Sequence, residues 1–200
     1  MNEALAFFGA FNPPTAAHLS LAYFALEKTG RNRVVFVPSQ SVYIRDNQGK
    51  DFAYDDNQRL RMLRKAAESR PWMTVTDWEM RQERQPRTYE TLCHLREEGI
   101  HAALLMGSDK LPELAKGWRY VEEIAREFGI VCLPRNRDEC TRLIQEDSFL
   151  KPLAPCIHVL DTPEATQDIS SARVRQLVKG IEKMQAELAD MVPPEILPLL

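Results

Sequence analysis

The sequence predicts an α/β protein with a doubly wound parallel sheet and helices on both of its faces. Short apolar runs of strand length alternate along the chain with longer segments of helical periodicity. Gly, Pro and capping residues separate these segments. The chain has 200 residues, the length of one domain. We therefore expect a single domain over residues 1–200, with a core over 3–180 and a helical C-terminal tail over 181–200.

The predicted strands are short runs of apolar and β-branched residues. Several of them are closed by Gly or Pro, as at Gly9 after the first run and Pro38 after the second. Near-continuous apolar character is typical of strands that are buried on both faces, as in a parallel sheet. In chain order the predicted strands are Ala4–Phe8, Arg33–Val37, Met73–Thr76, Ala102–Met106, Ile130–Leu133 and Ile157–Leu160.

The predicted helices are recognised by capping residues at their ends. Thr15 is a suitable N-cap and Gly30 a stop for the first helix, while Asp55 and Gln58 have the spacing of a capping box. Residues 39–54 show no clear periodicity and are expected to form a long loop. In chain order the predicted helices are Ala16–Lys28, Asp55 to about Ser69, Thr88–Glu98, Tyr120–Phe128, Asp138–Glu146, Ser170–Lys179 and the tail from Glu182. Such alternation indicates a Rossmann-like fold, in which ligands bind at the carboxyl ends of the strands.

Composition and charge exclude several classes of protein. With 44% hydrophobic residues the chain is not disordered, and no apolar run approaches the ~18 residues of a membrane helix. The net charge of −3 argues against binding to nucleic acid through bulk electrostatics, although a local basic pocket stays open. The N-terminus lacks the basic region of a signal peptide, and the 4 cysteines form no zinc pattern. We therefore expect a cytoplasmic protein with reduced thiols.

The most informative stretch runs from Gly9 to His18, where the first strand gives way to the first helix. Gly9 permits a close approach of the backbone to a ligand. The helix that starts after Thr15 directs its free N–H groups and its dipole toward the turn, which favours a phosphate. His18, protonated or neutral, would add one ring N–H donor. The alternative is a surface or core histidine without a functional role, beside prolines that only form the turn.

A second candidate phosphate site follows Asp168. Ser170 is a good N-cap, and Ser171 and Arg175 are four residues apart and share a helix face. This helix would offer backbone N–H groups, a hydroxyl and one guanidinium to a single anion. Arg173 lies roughly 200° around the helix from Arg175 and cannot share that site. A capped surface helix with solvated arginines is the alternative.

The first motif resembles the signature of the nucleotidyltransferase superfamily that carries an (H/T)xGH element. Its nearest relatives by this resemblance are the nicotinate and nicotinamide mononucleotide adenylyltransferases, whose pattern is G-G-[ST]-F-[DN]-P-x-[HT]-x-G-H. Thr15 and His18 take the first and last positions of the element, and Ala10 and Ala17 depart from the pattern, Ala17 at the glycine of the element. A methyl group at Ala17 lies where the family brings backbone close to ATP, which implies weaker affinity or a shifted pose.

The second motif resembles the family's I-S-S-T-x-[IL]-R pattern, with Ala172 at the threonine position. The two motifs occur in the family's order, so each strengthens the other. By this resemblance the ATP-binding residues are Gly9, Ala10, Phe11, Thr15, His18, Ile169, Ser170, Ser171 and Arg175. His18 and Arg175 would be catalytic.

Further segments resemble the acceptor side of the same family. Gly107–Leu111 matches G-x-D-x-L, where Asp109 would bind ribose hydroxyls, and an N-cap aspartate is the alternative. Trp118 follows at the spacing of an aromatic residue that stacks on the pyridine ring, unless it is a plain core tryptophan. Asp77–Glu79 resembles a segment that lines the pyridine pocket, which makes Trp78 a second stacking candidate.

Thr88 and Thr91 match the family's T-x-x-T-L. In the family, the loop that corresponds to residues 39–54 carries a basic residue near the phosphates. Either Arg45 or Lys50 would lie near the phosphates, and either of them is also compatible with a solvated loop charge. The acceptor-binding residues implied by the resemblance are Asn12, Arg45, Thr88, Asp109, Trp118 and Trp78.

The resemblance implies adenylyl transfer between ATP and a pyridine mononucleotide in NAD biosynthesis. Nicotinate mononucleotide is favoured as the acceptor, and nicotinamide mononucleotide stays open. Mg²⁺ would act with ATP, bound through ATP oxygens and water with no protein ligand. No nucleic acid or membrane partner is expected, and a homo-oligomer is left open. The alternatives are a related nucleotidyltransferase with another acceptor, such as phosphopantetheine or the acceptor of a cytidylyltransferase, and a non-catalytic nucleotide-binding sensor. Ala10 and Ala17 favour the last of these.

Overall fold

The fold is described by a computed structural model over residues 2–48, 54–134, 137–161, 174 and 185–200. Within these residues, six parallel strands form one sheet in the order β3-β2-β1-β4-β5-β6. Each predicted strand agrees with an observed one to within two residues at either end, which confirms the predicted parallel sheet. The strands are β1 Asn2–Gly9, β2 Arg33–Pro38, β3 Met73–Val75, β4 Ile100–Gly107, β5 Ile130–Leu133 and β6 Ile157–Val159.

The first helix begins and ends at its predicted caps, and the helix after Asp55 begins at its predicted capping box. The Thr15 side chain accepts from the His18 N–H, Gly30 ends the first helix in the left-handed region, and Asp55 and Gln58 form the predicted capping box. A π-helical turn at Ile124–Phe128 continues the sixth helix. The helices are α1 Ala16–Thr29, α2 Ser41–Gln48, α3 Asp56–Ala67, α4 Thr88–Glu97, α5 Leu111–Ala115, α6 Val121–Glu123, α7 Arg137–Glu146 and α8 Gln185–Met191.

The expectation of a loop over residues 39–54 is wrong for α2. The first N–H group of this helix, on Ser41, donates to Asp56 Oδ1 at 2.9 Å. A contact between residues 15 positions apart supports this helix, so its own sequence does not show the periodicity of an independent one. The predicted helix Ser170–Lys179 lies outside the described residues except for Val174, which is helical and fully buried.

Helices cover both faces of the sheet, as predicted. On one face, Ala4 and Ala6 of β1 belong to a buried cluster that includes side chains of α4, α5 and α7. On the other face, Leu5 and Phe7 pack with side chains of α1 and α3, and Ile196 from the C-terminal end joins them. The division into a core over 3–180 and a tail over 181–200 stays a prediction.

The chain changes its direction of winding between β1 and β4. From β1 it proceeds outward through β2 to β3, and it then returns to β4 on the other side of β1. The helices that follow these two central strands, α1 and α5, pack on opposite faces. Their connecting turns therefore diverge and leave a crevice at the carboxyl ends of β1 and β4, the usual position of a ligand in such sheets.

Candidate active site

The turn after β1 is built around the side chain of Phe11. This residue has a φ of 44°, in the left-handed region that is uncommon for a non-glycine residue. Its ring lies 5.5 Å from the Phe7 ring and 5.3 Å from the Phe36 ring, measured between centroids. A Cβ atom on Gly9 would lie 3.0 Å from the Phe11 ring. The space above Gly9, which the sequence suggested for a ligand, is thus filled by Phe11.

His18 is held by the residue that caps its helix. The Thr15 N–H donates to His18 Nδ1 at 3.0 Å, and Thr15 Oγ1 lies 2.7 Å from the same nitrogen. Because Nδ1 accepts a backbone hydrogen bond, the proton of the neutral ring resides on Nε2. Burial lowers the pKa of His18 to about 4, so the ring is neutral at pH 7. The site therefore contains a fixed, uncharged imidazole with one N–H donor at the N-terminus of α1.

Three predicted binding residues of this turn have buried side chains. Phe11 and Asn12 are each 1% exposed and Thr15 is 0% exposed. Direct side-chain contact with a ligand is not available to them in this structure. The backbone of Phe11 is still part of the turn, and Thr15 contacts His18. Ala17, at a glycine position of the family, is buried within α1.

Asp109 lies across the crevice, in the 3₁₀ turn Ser108–Lys110 that follows β4. It is exposed, and its carboxylate folds back over Gly107 so closely that a Cβ there would lie 2.6 Å from Oδ1. Gly107 has a φ of −77°, so glycine is needed for space and not for its backbone conformation. Since β1 and β4 are neighbours, Asp109 and the turn that carries His18 leave the same edge of the sheet.

The two candidate stacking residues lie on different sides of β1 in the sheet order. Trp78 follows the edge strand β3, and its indole stacks on the imidazole of His94 at 4.5 Å with 14° between the planes. A ligand ring can therefore stack only on the other face of Trp78. Trp118 follows α5 on the β4 side and is partly buried against the core. Both positions are compatible with a pyridine pocket, and the contact itself stays a prediction.

The remaining acceptor candidates lie at the starts of helices or on their exposed faces. Thr88 is the first residue of α4 and is partly buried. Arg45 is exposed on α2 and lies 3.5 Å from Asp46. Lys50 and the second phosphate site, comprising Ile169, Ser170, Ser171 and Arg175, lie outside the described residues. Their roles stay predictions.

Arg59, which the sequence did not single out, is a fully buried cation behind the turn. It is 0% exposed and its guanidinium donates to the carbonyl oxygens of Ala10 and Ser39 and to the Asp56 carboxylate. The sequence contains a signal of this burial, because Arg59 lies on the same face of α3 as the buried residues Met62, Leu63 and Ala66. An arginine at such a position cannot be a solvated surface charge.

Glu79 is a second buried charged residue, to which the sequence analysis gave no role of its own within the segment Asp77–Glu79. It is 1% exposed, Thr91 Oγ1 donates to one carboxylate oxygen at 2.6 Å, and Gln85 Nε2 donates to the other. Burial raises the pKa of Glu79 to about 7. Gln40 donates to the Gln85 amide oxygen and to the Glu79 carbonyl oxygen, both at 2.9 Å. This network ties the loop after β2 to the segment that carries Trp78.

The described part of the chain contains no group of three or more His, Cys, Asp or Glu residues arranged to hold a metal ion. Nor does that part contain a helix of the length and apolarity needed to span a bilayer.

Residues 6–177 match the Cytidylyltransferase-like family, so the chain belongs to that class of nucleotidyltransferase. The chain is 31% identical over 192 residues to a probable nicotinate-nucleotide adenylyltransferase of Flavobacterium johnsoniae, covering 95% of this chain and 91% of the relative. It is 28% identical over 172 residues to the protein of that name from Caldicellulosiruptor bescii, covering 86% and 84%. Within the class, the chain belongs to the nicotinate and nicotinamide mononucleotide adenylyltransferase family.

A solved structure has the same fold. It is the Plasmodium falciparum nicotinic acid mononucleotide adenylyltransferase complexed with NaAD, with a TM-score of 0.72 and 17% identity. The superposition covers 100% of this chain and 94% of that one. At this level of identity the likeness concerns the fold alone.

Proposed function

We propose that this chain joins ATP and nicotinate mononucleotide to give the dinucleotide and pyrophosphate, a step of NAD biosynthesis. The observation that carries the proposal is the His18 ring at the N-terminus of α1 beside the β1–β4 crevice, which Thr15 orients with its N–H on Nε2 and burial keeps neutral. This arrangement suits a phosphate chain, because N–H groups and the positive end of a helix dipole converge on one place. The names of the relatives favour nicotinate mononucleotide as the acceptor.

The reaction is an in-line displacement at phosphorus. A phosphate oxygen of the mononucleotide attacks the α-phosphorus of ATP, the bond from that phosphorus to the α,β-bridging oxygen breaks, and pyrophosphate leaves with the electron pair. The attacking oxygen is already anionic, so neither a protein nucleophile nor a general base is required. The protein positions both substrates and stabilises the charge on the phosphoryl oxygens.

His18 would donate its Nε2 hydrogen to a phosphate oxygen as negative charge develops there. Backbone N–H groups of the Gly9–Thr15 turn would hold the same phosphate chain. Ser170, Ser171 and Arg175 would hold the β- and γ-phosphates, as the family motif implies, beside Ile169. Mg²⁺ would enter with ATP on triphosphate oxygens and water and neutralise phosphate charge, an arrangement that requires no carboxylate cluster of the protein.

The acceptor would lie between the loops that follow β2, β3 and β4. Asp109 would accept hydrogen bonds from ribose hydroxyls, and Trp118 or the open face of Trp78 would stack on the pyridinium ring. Arg45 is the described basic residue proposed for the acceptor phosphate, and Thr88 for a polar group of the acceptor. We also place the enzyme in the cytoplasm, where its 4 cysteines, none of them in a disulfide, would stay reduced.

The test is pyrophosphate release from ATP and Mg²⁺ with three acceptors supplied separately. Nicotinate mononucleotide should give the highest kcat/KM, and nicotinamide mononucleotide a lower one. Turnover with phosphopantetheine alone would move the chain to another acceptor class. Binding of ATP with no pyrophosphate release from any acceptor would favour the non-catalytic sensor.

A further inference from the structure

Arg59 is one of the largest fully buried side chains of the described residues, and the proposed reaction gives it no role. Burying a guanidinium is costly unless its N–H groups are hydrogen-bonded and its charge is paired. Here two of its partners are carbonyl oxygens at the ends of adjacent strands, on Ala10 after β1 and on Ser39 after β2. The main-chain hydrogen bond from Ser39 N to Gly9 O, at 3.1 Å, shows how close the two loops are.

The contact with Ala10 fixes the direction of one peptide group. The Ala10–Phe11 bond is trans, so its carbonyl oxygen and its N–H lie in the peptide plane and point in opposite directions. Because the Ala10 carbonyl faces the buried Arg59, the Phe11 N–H faces away from Arg59. The left-handed φ of 44° at Phe11 is a costly conformation, and a firm partner on the preceding carbonyl helps to hold it.

The same guanidinium is connected to α2 through Asp56. The Asp56 Oδ1 atom pairs with Arg59 and also accepts from the Ser41 N–H at 2.9 Å and from the Ser41 hydroxyl. Ser41 begins the helix that carries Arg45. One buried residue thus connects the phosphate-binding turn with the segment proposed for the acceptor phosphate.

We propose that Arg59 is a positioning residue for phosphate binding, which holds the Ala10–Phe11 peptide so that the Phe11 N–H is presented to a phosphate of ATP. The proposal rests on the proposed function for the identity of the ligand. A lysine cannot replace Arg59, because an ammonium group is a point donor and cannot span two carbonyl oxygens and a carboxylate in one plane.

The test compares Arg59→Lys and Arg59→Ala with the matched variant Arg70→Lys. Arg70 also combines a backbone carbonyl, that of Ala66 at 2.6 Å, with a carboxylate, that of Glu195, but it precedes β3 at the amino edge of the sheet. For each variant we would measure kcat, KM for ATP and the unfolding midpoint. Calorimetry would give the Kd for ATP and for adenosine with no acceptor present.

Arg59→Lys should lower kcat/KM for ATP by about 100-fold, the scale of a small displacement of catalytic groups. Its Kd for ATP should rise by about 10-fold, the loss of one charge-assisted hydrogen bond, while its Kd for adenosine stays unchanged. Arg70→Lys should lower only the unfolding midpoint.

Equal weakening of ATP and adenosine binding would make Arg59 a general structural residue and overturn the proposal. Wild-type kcat and KM in folded Arg59→Lys would do the same. If Arg59→Ala does not fold, Arg59→Lys decides, since it keeps the charge and most of the length. Failure of the wild type with every acceptor would refute the proposed reaction, and the ATP-to-adenosine comparison would still test Arg59.

Discussion

Replacing His18 by alanine removes the Nε2–H group that we propose as a donor to the phosphates. Two contacts to Nδ1, at 3.0 and 2.7 Å, fix the ring before substrate arrives, so no reorganisation is needed in the transition state. Loss of one such preorganised donor lowers kcat by roughly 100- to 1,000-fold, or about 3–4 kcal/mol. KM for ATP should change much less, because the donor acts mainly on charge that develops during the reaction.

The pH dependence of kcat/KM for ATP follows from the lowered pKa of His18. Its pKa falls from 6.5 to about 4, which makes protonation of the free enzyme costlier by about 3 kcal/mol. The neutral ring is therefore present at neutral pH, and it is lost only as the pH falls through about 4. We expect kcat/KM for ATP to show no decline due to His18 between pH 8 and 5.

A coupled assay of pyrophosphate release under saturating acceptor would measure both effects. Thr15→Val is the matched variant, because it keeps the backbone donor to Nδ1 and removes the hydroxyl that contacts Nδ1 and caps α1. Its kcat should fall by roughly 10-fold, the value of about one hydrogen bond. A kcat near the wild-type value in His18→Ala would refute the role of His18. So would an acid limb near pH 6.5 that disappears in this variant.

Three further predictions concern the acceptor side. Glu79→Gln should remove a buried ionisable group. In the wild type, the neutral Glu79 carboxyl contributes to the free energy of unfolding below pH 4.5, and this contribution is lost as the pH rises through about 7. Urea unfolding should therefore show the variant gaining about 3 kcal/mol on the wild type between pH 4.5 and 8, and parallel curves would contradict this. Gly107→Ala should displace the Asp109 carboxylate and raise KM for the acceptor by about 10-fold, with less than about 1 kcal/mol lost in unfolding free energy; an unchanged KM would remove Asp109 from the site. His94→Ala should raise KM for the acceptor by about 3- to 10-fold through loss of the ring that backs Trp78, while His94→Phe should not; equal effects of the two substitutions would count against a stacking role for Trp78.

The sequence predicted the elements whose signals are local. α1 begins after Thr15 and ends at Gly30, and α3 begins at the capping box of Asp55 and Gln58. These ends could be predicted because caps and capping boxes act over three or four residues. The alternation of strands and helices predicted a parallel sheet with helices on both faces, and the structure confirms it. A ligand position at the carboxyl ends of the strands could therefore be predicted, whereas the order of the strands was not.

Features that depend on distant contacts could not be predicted. The start of α2 is held by Asp56, which lies beyond the end of that helix in sequence. The burial of Glu79 depends on Thr91 and Gln85, and nothing in the local pattern separates it from a surface carboxylate. For Arg59, the place on the apolar face of α3 could be recognised from the sequence, whereas its hydrogen-bond partners could not.

The most direct test follows the phosphorus atoms of ATP through the reaction. The enzyme would be incubated with Mg²⁺, nicotinate mononucleotide and ATP labelled at either the α- or the γ-phosphate, and the products separated. The proposed displacement predicts that the α-label appears in the dinucleotide and the γ-label in pyrophosphate. Release of orthophosphate, or an α-label that stays in ATP while the protein binds it, would contradict adenylyl transfer.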